Sequence, residues 1–361
     1  MATLYIGYKA ADIERRMLGD GTAFHVLDIY HRHAIEKAFH GEAKTVCTAH
    51  LPPTPSAAGL AVGEDRWDRV VFRTGPKLMS GELTLDLFQE CLKIVKKGQT
   101  RFDNFTLEYV GRERDRNELV DKVKARIDRS FKAEWPASVP GGGKLMFTSY
   151  PGCFCHRRLD EGGLALAEVV CRELRERITN SKSQITEAGG MRLIDMGCGC
   201  GLVGLLIADF LRNPNTKYAS TPSPAPCLCD SVLKTSESNH RSSTINLHTV
   251  LIDSHTRAVE AATENAAKFG IDAEVILADN GCPKRMDGTF DLFVGNPPYY
   301  SDYRIADVFL ETAQRALKPG GVCYTVCKNA AGLEPVQKRY FPETEILRRR
   351  NYAVLKSQKV V

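Results

Sequence analysis

The sequence has no uninterrupted apolar run near the ~18 residues that a membrane span requires, so no transmembrane helix is expected. The opening stretch MATLYIGYKAADIERR lacks a basic segment followed by an apolar core, so no secretory leader is expected and the chain is read as cytoplasmic. No internal repeat appears, which sets aside solenoids and propellers. Aromatic residues are few, at 8%, and only two are tryptophan. Paired cysteines with the two-residue or longer gaps of zinc sites are also lacking. The pairs are Cys-x-Cys instead: Cys153/Cys155, Cys198/Cys200 and Cys227/Cys229. With no leader, the 12 cysteines are read as reduced thiols. No metal is expected; the best zinc set would be Cys227, Cys229, His240 and His248.

What is present is ordinary globular composition, 43% hydrophobic and 26% charged, over 361 residues, which suits about two domains. The net charge is +5. Between 338 and 361, seven basic residues stand against two acidic ones, so this stretch carries the whole surplus. A basic face of this kind suits a polyanionic partner, or keeps a strand edge soluble.

Residues 1–140 mix short apolar runs with turn signals. Strands are predicted at 69–72 and 105–110, and an amphipathic helix at 83–96 with Leu85, Leu87, Phe88, Cys91, Leu92 and Val95 on its apolar stripe. The tract Pro140-Gly141-Gly142-Gly143 reads as a hinge. A strand at 144–148 and a helix at 163–179 follow. From Arg192 onward, strands and helices alternate, which predicts a parallel sheet covered on both faces and closed by an antiparallel hairpin turning at Arg350-Asn351. The stretch 212–247, rich in Ser, Thr, Pro and Asn, reads as a polar surface insertion.

Four turns carry chemistry. Asp195-Met196-Gly197-Cys198-Gly199-Cys200-Gly201 follows a strand and opens a helix. Glycines at alternate positions let a ligand approach the backbone, and the helix start offers free N–H groups. Asp253 ends the next strand, where a carboxylate accepts from both ribose hydroxyls. Asp279 ends the one after, where it accepts from an adenine amine. Taken singly, each aspartate is an ordinary turn former or helix cap; in this order they form a nucleoside pocket. Fourth, Asn296-Pro297-Pro298-Tyr299 follows a strand. Its prolines stiffen the turn and remove two donors. The Asn296 side-chain oxygen and the Pro297 carbonyl are placed to accept from one planar amine, and Tyr299 to stack on its ring.

These turns, in this order, resemble the class I S-adenosylmethionine-dependent methyltransferases, from about 144 to the end of the chain. The stretch Tyr150-Pro151-Gly152-Cys153-Phe154 with Leu159-Asp160-Glu161-Gly162-Gly163, and Leu317-Lys318-Pro319-Gly320-Gly321, are similar to segments of the small methyltransferase domain family, within it the ribosomal RNA guanine-N2 enzymes. The resemblance implies a Rossmann-like α/β fold with a seven-stranded class I sheet in a catalytic domain at 141–361. A smaller N-terminal α/β domain at 1–140 would be a degenerate methyltransferase-like or RNA-binding module. It also implies S-adenosylmethionine as cofactor. Asp195, Gly197, Gly199 and Gly201 would hold its methionine part, Asp253 its ribose and Asp279 its adenine. Phe154 and Asp160 would close over the site. Asn296, Pro297, Pro298 and Tyr299 would present an exocyclic amine of a base in RNA, foremost guanine N2 of ribosomal RNA. Where that group has Phe-His, this chain has Tyr299-Tyr300, as is commoner in adenine-N6 and glutamine-N5 enzymes, and both stay open as alternatives. So does a non-catalytic binding subunit of the same fold. His25, His31, His33 and His40 match no metal spacing and are read as structural.

Overall fold

The computed structural model describes residues 1–61, 66–96, 105–125, 131–138, 143–180, 190–212, 247–298 and 303–360. All but the ends of the insertion expected at 212–247, with Cys227, Cys229 and His240 of the zinc set, most of the expected hinge, and Tyr299 lie outside them.

The N-terminal part runs β1 (Thr3–Ile6), β2 (Thr22–Val26), α1 (Ile29–Ala38), β3 (Thr45–Cys47), β4 (Arg69–Thr74), α2 (Gly81–Ile94), β5 (Phe105–Tyr109) and α3 (Glu113–Ala125). Its five strands are all parallel, in the order β3-β2-β1-β4-β5. The helix expected at 83–96 is α2, and it buries Leu87, Phe88, Cys91 and Leu92 against Phe72 and Phe105. Each such side chain contributes roughly 1.5–3 kcal/mol of burial.

The C-terminal part begins with a hairpin, β6 (Ala133–Ser138) and β7 (Lys144–Ser149). It continues through α4 (Glu161–Asn180), β8 (Met191–Met196), α5 (Leu202–Arg212), β9 (Leu247–Asp253), α6 (Thr256–Lys268), β10 (Ala273–Leu277), β11 (Phe290–Gly295), α7 (Arg304–Ala316), β12 (Leu317–Cys327), α8 (Ala330–Tyr340), β13 (Glu345–Arg349) and β14 (Tyr352–Gln358). The expected seven-stranded sheet has the order β10-β9-β8-β11-β12-β14-β13, parallel except for β14, which pairs antiparallel with both β12 and β13. The closing turn sits at Arg350 and Asn351, both left-handed, with φ of 49° and 62°. Two successive positive φ values match the twist of a two-residue hairpin.

The first five strands of this sheet repeat the order of the N-terminal sheet. The two sheets meet where their second strands end. Ile29 N–H donates to the Ser254 carbonyl at 2.9 Å and Thr256 N–H to the Leu27 carbonyl at 2.7 Å, a near-symmetric exchange. Asp28 and His255 thus stand at corresponding places, each the residue before the helix that follows the second strand of its sheet, and the two form a β-bridge.

Three departures from the sequence reading have physical causes. Residues 133–138, assigned above to the N-terminal domain, pair with β7, and Trp135 stacks on Phe147 at 5.4 Å between ring centroids in the C-terminal core. The strands flanking the expected hinge therefore pair with each other. Their alternating buried and exposed pattern was hidden by Pro136. Helix α8 carries an internal proline, Pro335, which masks its helical signal. The basic C-terminal stretch is largely neutralised within the fold: Arg349 and Arg350 pair with Glu168, and Lys356 with Glu173.

Candidate active site

The carboxyl ends of β8, β9, β10 and β11 gather four of the expected turns, at the switch point between β8 and β11 where open parallel sheets bind ligands. After β8, Gly197, Gly199 and Gly201 have φ of 68°, 56° and 86°. A Cβ on Gly197 would lie 2.6 Å from Phe309, and one on Gly201 2.8 Å from Leu205. Those two glycines are required by packing. A Cβ on Gly199 would meet nothing within 4 Å, so Gly199 is where the backbone borders open space.

Asp195 is buried, and its Oδ2 accepts from Gly204 N–H at 2.8 Å, fixing the first turn of α5. Desolvation pushes its carboxyl up to about 7, with Asp253 and Asp160 adding repulsion. Asp253 accepts from Gly199 N–H through Oδ2 and from His255 N–H through Oδ1, both at 2.9 Å, and burial raises its pKa. Asp195 thus feels both Asp253 and Asp160, a concentration of acidic groups that favours a cation.

Asn296 follows β11 and Pro297 behind it is buried. Asn296 Nδ2 donates to Asp160 Oδ2 at 2.8 Å. Asp160 Oδ1 in turn accepts from Gly162 N–H at 3.0 Å, and desolvation raises its pKa. A Cβ on Gly163 would fall 2.6 Å from Asp160 Oδ2, so the glycine pair at the start of α4 makes room for this clamp. Asp160, expected to close over a cofactor, thus also holds the asparagine of the Pro-Pro turn. With Nδ2 committed, the Asn296 oxygen is the part of the amide left to accept.

Phe154 lies on the loop between β7 and α4 and is 64% exposed. Gly152, Cys155 and Arg157 in this loop all have positive φ, of 98°, 54° and 63°. The strain is held from the N-terminal part: Glu82 of α2 accepts from Arg157 Nε at 2.7 and 2.9 Å and lies 3.0 Å from His156 Nε2.

Two further contributions of the N-terminal part were invisible in the sequence. His33 of α1 places Nδ1 3.0 Å from Asp279 Oδ2, so one histidine read as structural borders the expected adenine wall. Arg257 of α6, 1% exposed, binds Asp86 at 2.5 Å, Glu90 at 3.3 Å and the Ala49 and Pro151 carbonyls. Among the described residues, no group of three or more His, Cys, Asp or Glu side chains could hold a metal ion, and no helix is long and apolar enough to cross a membrane.

Residues 232–356 match the family model described as "Methyltransferase small domain". The chain is 27% identical over 227 residues to the ribosomal RNA small subunit methyltransferase C of Pseudomonas aeruginosa, covering 61% of this chain and 53% of that one. It is 27% identical over 247 residues to the ribosomal RNA large subunit methyltransferase G of Pseudomonas putida, covering 65% and 54%. The chain thus spans about half the length of these relatives. A 16S rRNA N2 methyltransferase of T. thermophilus, solved with AdoMet and guanosine, superposes with a TM-score of 0.66 over 99% of this chain and 88% of that one, at 14% identity. The fold is the class I methyltransferase fold, as expected from the four turns.

Proposed function

We propose that this chain, a class I methyltransferase fold carrying the methyltransferase small domain, transfers a methyl group from S-adenosylmethionine to an exocyclic amine of a base in ribosomal RNA, with guanine N2 as the foremost target. The carrying observation is the Asn296–Asp160 hydrogen bond, which leaves an acceptor at the mouth of the Pro-Pro turn. The names of the relatives, both ribosomal RNA methyltransferases, support the choice of RNA.

The residues present fit the cofactor. A cationic nucleoside suits a pocket in which Asp195 feels both Asp253 and Asp160. Asp253 reaches a ribose from the end of β9, Asp279 an adenine amine from the end of β10, and the open backbone at Gly199 the methionine part. When bound, the cofactor supplies an electrophilic methyl group.

The remaining work belongs to the chain. An exocyclic amine is a poor nucleophile because its lone pair is delocalised into the ring. Asn296 and the Pro297 carbonyl accept its two hydrogens, which turns the lone pair out of the ring plane. Tyr299 stacks on the base. Orientation in line supplies the rate, and effective molarities of such arrangements reach about 10⁵–10⁸ M. The base must leave its helix to reach the turn. The proton leaves to water after transfer, so no dedicated base is required.

The test uses purified protein, labelled S-adenosylmethionine and undermodified total RNA, digested to nucleosides and weighed by mass. N2-methylguanosine that disappears with Asn296→Ala is the expected result. N6-methyladenosine would move the target; label in protein alone would overturn the RNA reading in favour of a glutamine substrate. Failure to bind cofactor would leave a non-catalytic subunit.

A further inference from the structure

The N-terminal sheet has its own crevice. A cavity of about 820 Å³ opens at the carboxyl ends of β1, β2 and β4, and the loop carrying Phe154 covers it from the other part of the chain. Phe154 is shared with the expected cofactor site, whereas none of Asp195, Gly199, Asp253, Asp279 or Asn296 lines it. In the order β3-β2-β1-β4-β5 this is again the switch point, where open parallel sheets take ligands.

Its wall holds polar atoms without partners. His25 is 2% exposed, and its Nε2 lies 2.8 Å from the Thr48 carbonyl. A carbonyl only accepts, so Nε2 carries the hydrogen. Burial pushes the imidazole down to about 4, so the ring is neutral and Nδ1 is a bare acceptor. Among the described residues that Nδ1 has no hydrogen-bond partner, and neither has Nδ1 of His255, whose ring burial likewise holds neutral. Both residues line the cavity. An unpaired buried acceptor such as His25 Nδ1 costs roughly 1–3 kcal/mol, so the cavity wall is unfinished without a donor. Tyr8 and the exposed Phe154 offer aromatic faces. Lys9, Arg158 and the N-terminus of α2 offer positive charge at the same cavity. Arg157 is already engaged by Glu82.

A ligand that satisfies this wall carries ring N–H or amino donors, a flat face and an anion. We propose that this cavity is a second nucleotide-binding pocket, separate from the methyl-transfer site, which holds the base of one nucleotide against His25 and His255 and its phosphate near Lys9. The nucleotide is either one unit of an RNA strand or a free nucleotide. The inference stands on the cavity and does not depend on the methyl acceptor.

The test titrates full-length protein with adenosine 5′-monophosphate by calorimetry, with the cofactor site saturated by S-adenosylhomocysteine. One equivalent is expected to bind. Gly81 lines the cavity, and a Cβ there meets nothing within 4 Å, so Gly81→Phe fills the space from an open position. It is expected to weaken the nucleotide at least about tenfold and leave S-adenosylhomocysteine affinity unchanged. Lys9→Ala, at an exposed position, checks the phosphate end and is expected to weaken binding without touching the core. A raised KM for RNA in Gly81→Phe identifies the strand as the source; an unchanged KM with the mononucleotide lost identifies a free nucleotide. No binding by the wild type, displacement by S-adenosylhomocysteine, or equal binding by wild type and both variants overturns the proposal. Loss of S-adenosylhomocysteine binding in the wild type would instead count against the proposed methyl transfer.

Discussion

Asn296 and Asp160 are 136 residues apart in the chain and 2.8 Å apart in the fold, amide nitrogen to carboxylate oxygen. The bond commits the amide nitrogen and leaves the amide oxygen as the acceptor. It also joins the two stretches that resemble a methyltransferase, one before the glycine turn and one after β11, into a single device.

Asp160→Ala removes the clamp and leaves Asn296 free to rotate. The expected outcome is a fall in kcat of about 10–100-fold, since misplaced orienting groups cost on that scale. The dissociation constant of S-adenosylhomocysteine should move by less than about fivefold. Steady-state kinetics beside a binding titration separate the two; an unchanged kcat would sink the clamp's role.

The Asp195 carboxyl is held near 7 in the fold, above the ordinary ~3.9 of an unfolded aspartate. Its ionisation therefore opposes folding. That stability is fully present below about pH 4 and is lost as pH rises through 7. Asp195→Asn should flatten the dependence, by an amount on the order of a few kcal/mol across that window. Thermal melts of both proteins from pH 4 to 8 check this, and parallel profiles would refute it.

Arg257 is a buried cation with every partner supplied by other segments, among them Asp86 and Glu90 of α2. Arg257→Ala takes the buried cation from both carboxylates, although Glu90 keeps its bonds to His50 and Leu51 N–H. A loss of about 3–5 kcal/mol is expected, read as a lowered denaturation midpoint. Destabilisation below about 1 kcal/mol would mean that the two sheets are held together by other contacts.

His50 bridges Glu260 and Glu90, and its hydrogen bonds to them raise it to about 10. The stabilisation from this raised pKa is complete below the ordinary ~6.5 of histidine and disappears as pH rises through 10. The bridge is largely solvated, so the effect is small. His50→Gln should narrow the stability difference between pH 7 and pH 10.5; identical differences in both proteins would exclude the bridge.

Asp279 meets His33 across the two parts of the chain at 3.0 Å. That pair is half-exposed on the histidine side, so His33→Ala should change cofactor affinity by no more than about fivefold. Asp279→Ala, which removes the group proposed to read the adenine amine, should cost more than about tenfold. Equal effects of the two substitutions would place the role on the pair rather than on the carboxylate.

Much of the C-terminal part was readable because its signals are local. Glycines at alternate positions, aspartates at strand ends and a stiffened Asn-Pro-Pro turn each act within a few residues, and strand–helix alternation orders them. Strands β1 to β3 were missed because each is five residues or fewer and has no long apolar run. Strand β6 and helix α8 were missed because each contains a proline.

The sequence by itself determined the order of the four turns, the parallel strand–helix alternation with its hairpin edge, and the identity of the residues at the strand ends, since backbone propensity and spacing are properties of neighbours in the chain. Only the tertiary structure decided which of those residues touch. It clamps Asn296 on Asp160, sets His33 beside Asp279, ties the Phe154 loop to Glu82, and places His25 beside a cavity with Nδ1 unpaired among the described residues. The contacts of His33 and Glu82 arise where two sheets of the same strand order meet, the Asn296–Asp160 bond joins two loops of one part, and such pairing depends on packing geometry that no local pattern encodes.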